Sequence, residues 1–185
     1  MRIKCITTFH LGGLIVYGQR FIDSWAKNVD PAVRLVVYAE DCTPVVPPDA
    51  NIEVVNAKEV LPKLNAFKEQ HKDDPKANGK CPPEIKARRP KDWHKENRWD
   101  AVRFANKTYA VFEAAKDPDT DILVWVDSDT YVHSPITYRQ FRNLVPESQW
   151  LHYLGRKKRY PECGWYGLTL RTPGCDAFLK EFERV

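Results

Sequence analysis

No stretch of the chain approaches the roughly 18–20 apolar residues that a bilayer-spanning helix needs. The first residues, Met1-Arg2-Ile3-Lys4-Cys5-Ile6, lack the long apolar core and small-residue cleavage site of a secretory signal. These absences predict a cytoplasmic protein without a membrane span. Cysteine is scarce and unpatterned. Cys5, Cys42, Cys81, Cys163 and Cys175 form an odd set with no C-x-x-C pair. That argues against a disulfide framework and against a structural zinc site, so free thiols are expected. His10, His71, His94, His133 and His152 show no metal-ligand spacing either. Internal repeats and low-complexity tracts are also missing.

What is present fits one globular domain over residues 1–185. The chain is 43% hydrophobic and 29% charged, and it is long enough to bury a core. Its net charge of +4 has an address. Residues 72–98 carry nine Lys or Arg against five acids, which accounts for all of it. A nucleic-acid binder spreads its basicity over a face, so nucleic acid is not the expected partner. Pro75, Pro82, Pro83 and Pro90 interrupt the same segment. Residues 71–96 therefore read as a long, mobile, basic insertion. Such a run is usually a solvated loop, and its other use is to recruit an acidic acceptor such as a phosphorylated glycan or a nucleic acid.

Residues 2–9 are rich in β-branched and aromatic side chains and predict a first strand, broken by His10-Leu11-Gly12-Gly13. Tyr17, Phe21, Trp25 and Val29 recur every four residues, the spacing of one helix face, with Pro31 just beyond. Residues 34–39 and 52–55 read as strands, and Pro44, Pro47 and Pro48 mark the loop between them. Residues 58–70 predict a helix interrupted early by Pro62. Val102, Ala105, Tyr109 and Phe112 give residues 97–116 an amphipathic stripe. Asp121 to Val126 is an almost continuous apolar run, as in a strand buried on both faces. Residues 150–154 and 164–170 are further strand candidates, and a helix starts at Cys175. This alternation predicts an α/β protein with a mainly parallel sheet flanked by helices.

The buried strand delivers Asp127-Ser128-Asp129 at its carboxyl end. Ligands of open α/β sheets bind at that end of the strands. Two carboxylates one residue apart suit a hard divalent cation, Mg²⁺ or Mn²⁺. Mg²⁺ uses only one or two protein carboxylates and completes its shell with water and substrate phosphates. An isolated Asp-x-Asp is more often an ordinary turn. The long buried strand before it and Thr130-Tyr131-Val132 after it favour the metal.

The segment VWVDSDTYVHSPI resembles the DxD signature of GT-A-fold glycosyltransferases, in which apolar residues flank the acidic motif. The order of the preceding elements is similar too. The resemblance implies a GT-A-like nucleotide-sugar-binding fold and a metal-dependent, hexosyltransferase-type enzyme. Its donor would be a nucleotide-sugar, a UDP-sugar first, and its acceptor is open, with a glycan as one candidate. By resemblance Asp129 is the direct metal ligand. Asp127 contacts the ribose or the metal's water shell, and Ser128 lies beside the sugar-nucleotide.

Other site residues follow from the same resemblance. Thr7, Thr8 and Phe9 end the first strand where that fold holds the nucleotide, and Phe9 could stack there; plain strand residues are the equal alternative. Glu40, at the end of the second strand, is a candidate for the same pocket. Arg103 and Lys107 share a helix face with Asp100, where they form an ion-pair ladder or meet a diphosphate. Glu162 is the candidate base or sugar-hydroxyl acceptor. Gly164 would let the backbone pass close to a ligand. Trp165 and Tyr166 would stack on a sugar or line the core. His133 follows the acidic motif closely, but a surface or core role is the simpler reading.

Two rivals stand beside the transferase. A haloacid-dehalogenase-like phosphatase also follows an apolar strand with D-x-D, but Thr130-Tyr131 breaks its spacing. Only 56 residues remain after Asp129 for its downstream lysine and acids. The other rival is a catalytically silent nucleotide-sugar-binding module. GT-A enzymes commonly take a further metal ligand, often His, near the end of the domain. This chain ends inside a helix without such a residue, so either the ligand comes from elsewhere or the domain is shortened.

Overall fold

The computed structural model describes residues 1–79, 83–87 and 99–184. The chain divides into two compact units, Met1–Ala57 with Ala110–Val185, and Lys58–Tyr109.

The first unit is built on six strands: β1 (Ile3–His10), β2 (Val33–Glu40), β3 (Ile52–Asn56), β4 (Ile122–Val126), β5 (Leu151–Leu154) and β6 (Glu162–Thr169). They form one sheet in the order β3-β2-β1-β4-β6-β5. The run β3-β2-β1-β4 is parallel, while β6 pairs antiparallel with both β4 and β5. The protein is thus a mixed α/β fold with a mostly parallel sheet and flanking helices, as the alternating pattern predicts. All five residues of β4 are buried, which is why that strand carries no polar alternation.

Between β1 and β2 the chain is helical in three pieces: α1 (Leu11–Gly13), a π-helical turn (Leu14–Gly18) and α2 (Gln19–Asn28). The sequence places a break at His10-Leu11-Gly12-Gly13, yet the helix begins at Leu11. His10 Nδ1 accepts from Gly12 N at 3.0 Å and caps it. The glycines are needed for closeness rather than for a bend. A Cβ on Gly18 would lie 3.1 Å from the Phe9 ring, and one on Gly13 would lie 3.2 Å from Phe9 Cβ. Phe21, Ile22 and Trp25 of α2 are buried against β1, β2 and β4. The predicted four-residue stripe is therefore the core face of this helix.

A short helix α3 (Ala57–Val60) precedes α4 (Pro62–His71), so the chain does break at Pro62. Then come α5 (Pro83–Lys86) and α6 (Ala101–Ala115). Within Lys58–Tyr109, Phe67 packs on His71 and Tyr109, with ring centroids 4.5 and 5.9 Å apart. The backbone of Val102 donates to Ala77 O at 2.9 Å. Of the expected insertion 71–96, residues 80–82 and 88–96 lie outside the described residues, as do the first residues of the helix expected over 97–116.

Two helices complete the first unit. The helix α7 (Tyr138–Leu144) escapes the periodicity argument because it is short. Its signal is Thr137-Tyr138-Arg139-Gln140: Thr137 and Gln140 cap each other reciprocally, with bonds of 3.2 and 2.8 Å. The last helix, α8 (Pro173–Arg184), is held by an aromatic chain from Trp150 through Phe178 and Phe182 to Phe112. Among the described residues no helix is long and apolar enough to cross a membrane.

Candidate functional site

The strand order reverses between β1 and β4. From β1 the chain builds outward to β2 and β3, then returns to add β4 on the other side. The crevice at the carboxyl ends of two such strands is the expected ligand position in a parallel α/β sheet. Here the crevice has a visible cause. The β1–β4 ladder stops at Ile6↔Trp125, while Thr7 to His10 continue to pair with β2 alone. The two strands therefore part at this edge. Ser128, just past β4 and 6% exposed, bridges the gap by donating its hydroxyl to Thr8 O at 3.1 Å.

Asp127 is held on several sides. Trp125 Nε1 donates to its Oδ1 at 2.5 Å, and its backbone N donates to Gly164 O at 2.7 Å. A Cβ on Gly164 would lie 3.0 Å from Asp127 Oδ2 and 3.3 Å from Glu162 Oε1. Two carboxylates thus converge on one glycine, which has room for neither with a side chain. Gly164 N donates to Glu162 Oε1 at 3.0 Å, and Arg156 forms an ion pair with the other oxygen of Glu162. Asp129 differs. It is exposed, and among the described residues its carboxylate has no hydrogen bond or ion pair. Thr130 folds back onto Asp127 O at 2.7 Å and closes the turn.

The antiparallel partner β6 decides what faces Asp127. The ladder pairs Trp125 with Tyr166 and Val126 with Trp165. Alternation then puts Trp125, Asp127, Gly164 and Tyr166 on one face of the sheet. Burial, and after it the Asp127 charge, push the Tyr166 phenol well above its ordinary value. Tyr166 is therefore a neutral neighbour of the acidic group. The sequence offered it a stacking role or a place in the core, not a place beside Asp127.

Several expected residues lie elsewhere. Phe9 is 3% exposed and packed on Gly13 and Gly18, so its ring has no face left for a base. Thr7 is fully buried, on the same face as Cys5 and Phe9. Its Oγ1 has no partner among the described residues, and it cannot reach a ribose. Only Thr8 keeps its place at the crevice, half-buried and bonded through its carbonyl. Of the two roles offered to Trp165, stacking or core, it takes the core one and packs against the core cluster. In each case strand alternation decides: consecutive residues at the end of one strand cannot all face a ligand.

Glu40 ends β2 in register with His10 at this edge and is half-buried. Just beyond it lies a cleft of about 440 Å³ lined by Asp41, Cys42, Thr43, Val54 and Asn56. The volume falls in the range of small-ligand pockets. No motif marks these residues, so sequence reasoning missed them. Arg103 and Lys107 belong to the unit Lys58–Tyr109. There Arg103 pairs with Asp100 at 3.6 Å, as an ion-pair ladder would. His133 is exposed.

No group of three or more His, Cys, Asp or Glu side chains that could hold a metal ion is found among the described residues. The donor set is two carboxylates, one constrained and one open to water. That fits a hard cation that keeps water and takes phosphate oxygens, and it does not fit an all-protein cage. No family model matches the chain, and no curated protein matches it in sequence.

Proposed function

We propose that this protein is a metal-dependent glycosyltransferase of the GT-A type, moving a sugar from a nucleotide-sugar, with a UDP-sugar as the first candidate, to an acceptor hydroxyl. One observation carries the reading. Asp127-Ser128-Asp129 leaves a fully buried strand at the crevice where strand order reverses, and Ser128 ties it to β1 there. The neighbouring cleft at the ends of β2 and β3 supports it by offering room for a nucleoside.

In this reading Asp129 offers its open carboxylate to Mg²⁺ or Mn²⁺. Trp125 Nε1 and the Gly164 carbonyl hold Asp127 beside it at the end of β4. The bound ion would supply positive charge opposite the departing diphosphate. The acceptor oxygen bonds to the anomeric carbon as the bond from that carbon to the diphosphate oxygen breaks. The nucleoside diphosphate leaves with the electron pair. Glu162 takes the acceptor's hydroxyl proton or orients that hydroxyl, with the Arg156 guanidinium beside it.

A second reading has two observations in its favour. The small donor set and the engagement of Glu162 by Arg156 also suit a module that binds a nucleotide-sugar without turning it over. Calorimetric titration with a panel of nucleotide-sugars, in Mn²⁺ and then in EDTA, separates the outcomes. Metal-dependent binding of one donor, lost in Asp129→Ala, is expected. Binding without release of nucleoside diphosphate on adding acceptors would favour the silent module. If no donor binds under any condition, both readings fail, and a phosphatase assay becomes the next measurement.

A further inference from the structure

Among the described residues eleven large apolar side chains are exposed, and eight of them gather at one end of the sheet. The topology sets this out. β1, β2 and β4 run parallel, so their carboxyl ends share an edge, and antiparallel β6 begins where β5 ends, at that same edge. Leu11, Ile15 and Val16 follow β1 there, at 53, 76 and 75% exposure. Val45, at 73%, follows β2 and is held beside them. Gln19, one turn past Ile15, donates to Val45 O at 2.7 Å and accepts from Val45 N at 2.9 Å. Tyr131 follows β4, while Tyr153, Leu154 and Tyr160 belong to the β5–β6 hairpin.

The hairpin tip adds charge. Arg156, Lys157, Lys158 and Arg159 are consecutive and exposed, and Tyr160 next to them is 92% exposed. Arg156 is engaged by Glu162, which leaves Lys157, Lys158 and Arg159 in excess at the tip. Arg20 stands over the Tyr131 ring at 5.3 Å and adds a further cation at this edge.

We propose that this edge docks on an anionic lipid surface. Cations alone would suit any polyanion. The aliphatic knobs Leu11, Ile15, Val16 and Val45 have no use on a phosphate backbone or a soluble anion, whereas a bilayer takes both kinds of side chain at once. Tyrosine suits the same boundary, apolar along the ring and polar at the tip. The docking face opens at the end of the sheet that carries Asp127 and Asp129. Resting on the transferase reading, the acceptor is then a hydroxyl carried on a lipid and brought to the crevice by the membrane.

Sedimentation of the whole chain with vesicles tests the surface without any sugar chemistry. Phosphatidylcholine vesicles are compared with vesicles that also hold phosphatidylserine. Binding to the anionic vesicles only, weakening as salt rises, is expected. The combined Lys157→Glu, Lys158→Glu and Arg159→Glu variant should lose about a hundredfold in affinity. The combined Ile15→Ser, Val16→Ser and Val45→Ser variant should lose about tenfold or more, with little response to salt. Wild-type protein that ignores anionic vesicles, or that binds inorganic polyphosphate or single-stranded nucleic acid in their place, overturns the proposal whatever the variants do. Asp119→Ala, at the opposite end of β4, should bind vesicles like wild type. Vesicle binding without any donor binding would sink the transferase reading and leave this surface standing.

Discussion

The two ends of β4 carry the same acidic spacing and use it in opposite ways. Before the strand, Asp117-Pro118-Asp119 and Asp119-Thr120-Asp121 are both D-x-D. Each of these acids has a cation. Asp117 meets Lys4 and, at 3.9 Å, Arg34; Asp119 meets Arg2 at 2.5 Å; Asp121 meets Arg2 at 3.2 Å and Arg171 at 2.9 Å. After the strand, Asp129 of Asp127-Ser128-Asp129 has no such partner among the described residues. Strand direction makes the difference. The amino end of β4 is closed by basic residues from β1, β2 and the segment after β6, whereas the carboxyl end opens where β1 and β4 part. Spacing alone therefore does not define a site. An acid such as Asp129 becomes available for a ligand when the fold brings it no cation.

The largest effect expected from this contrast is on ligand binding. Asp129→Ala should weaken metal-dependent nucleotide-sugar binding by at least about a hundredfold in calorimetry. Asp119→Ala, the same change at the closed end, should leave it untouched. Equal effects at both ends would erase the distinction.

The closed end should instead respond in stability. Lys4→Met leaves Asp117 partly buried without its main donor and should lower unfolding free energy by about 2 kcal/mol in denaturant. The pH dependence has a definite sign. Lys4 first, aided by the Asp119 backbone and Thr120, lowers the Asp117 carboxyl from 3.8 to about 2. A carboxyl lowered in the folded state stabilises above its unfolded value. That contribution fades as pH falls from about 4 toward 2. In Lys4→Met this acid-labile portion should shrink, so its stability curve is flatter over that window.

A smaller change sharpens the picture at the open end. Gly164→Ala forces a methyl to within 3.0 Å of Asp127 Oδ2 and should reduce metal affinity by about tenfold, with thermal unfolding little altered. A loss of folding without a change in affinity would show that Gly164 serves the strand and not the acids. The smallest effect concerns His152, buried beside Thr169 at 3.0 Å. Burial lowers its pKa below the ordinary 6.5, so the fold prefers the neutral ring. Stability should be level above that value and decline gently as pH falls below it, and His152→Gln should flatten the decline.

Much of the architecture can be read directly from the chain. The β4 run is uniformly apolar because it is covered on both faces, and the Tyr17-Phe21-Trp25-Val29 stripe meets the sheet. Thr8 and Asp127 were legible as edge residues for the same reason, since each lies at the end of a recognisable strand. Phe9 and Thr7 were not separable from Thr8 by composition, because all three suit a strand equally. The cleft residues Asp41, Cys42 and Asn56 carry no motif, since a concavity is a property of several strand ends at once.

By itself the sequence determined the strand and helix alternation, the burial of β4 and the delivery of an acid pair at its carboxyl end. These follow from local periodicity and from the hydrophobic requirement of a central strand. Only the tertiary structure decided that β6 runs antiparallel beside β4, which brings Glu162, Gly164 and Tyr166 to Asp127. It alone also supplied cations to the acids before β4 and, among the described residues, none to Asp129 after it. Pairing direction and charge compensation join residues far apart in the chain, and no local pattern records them.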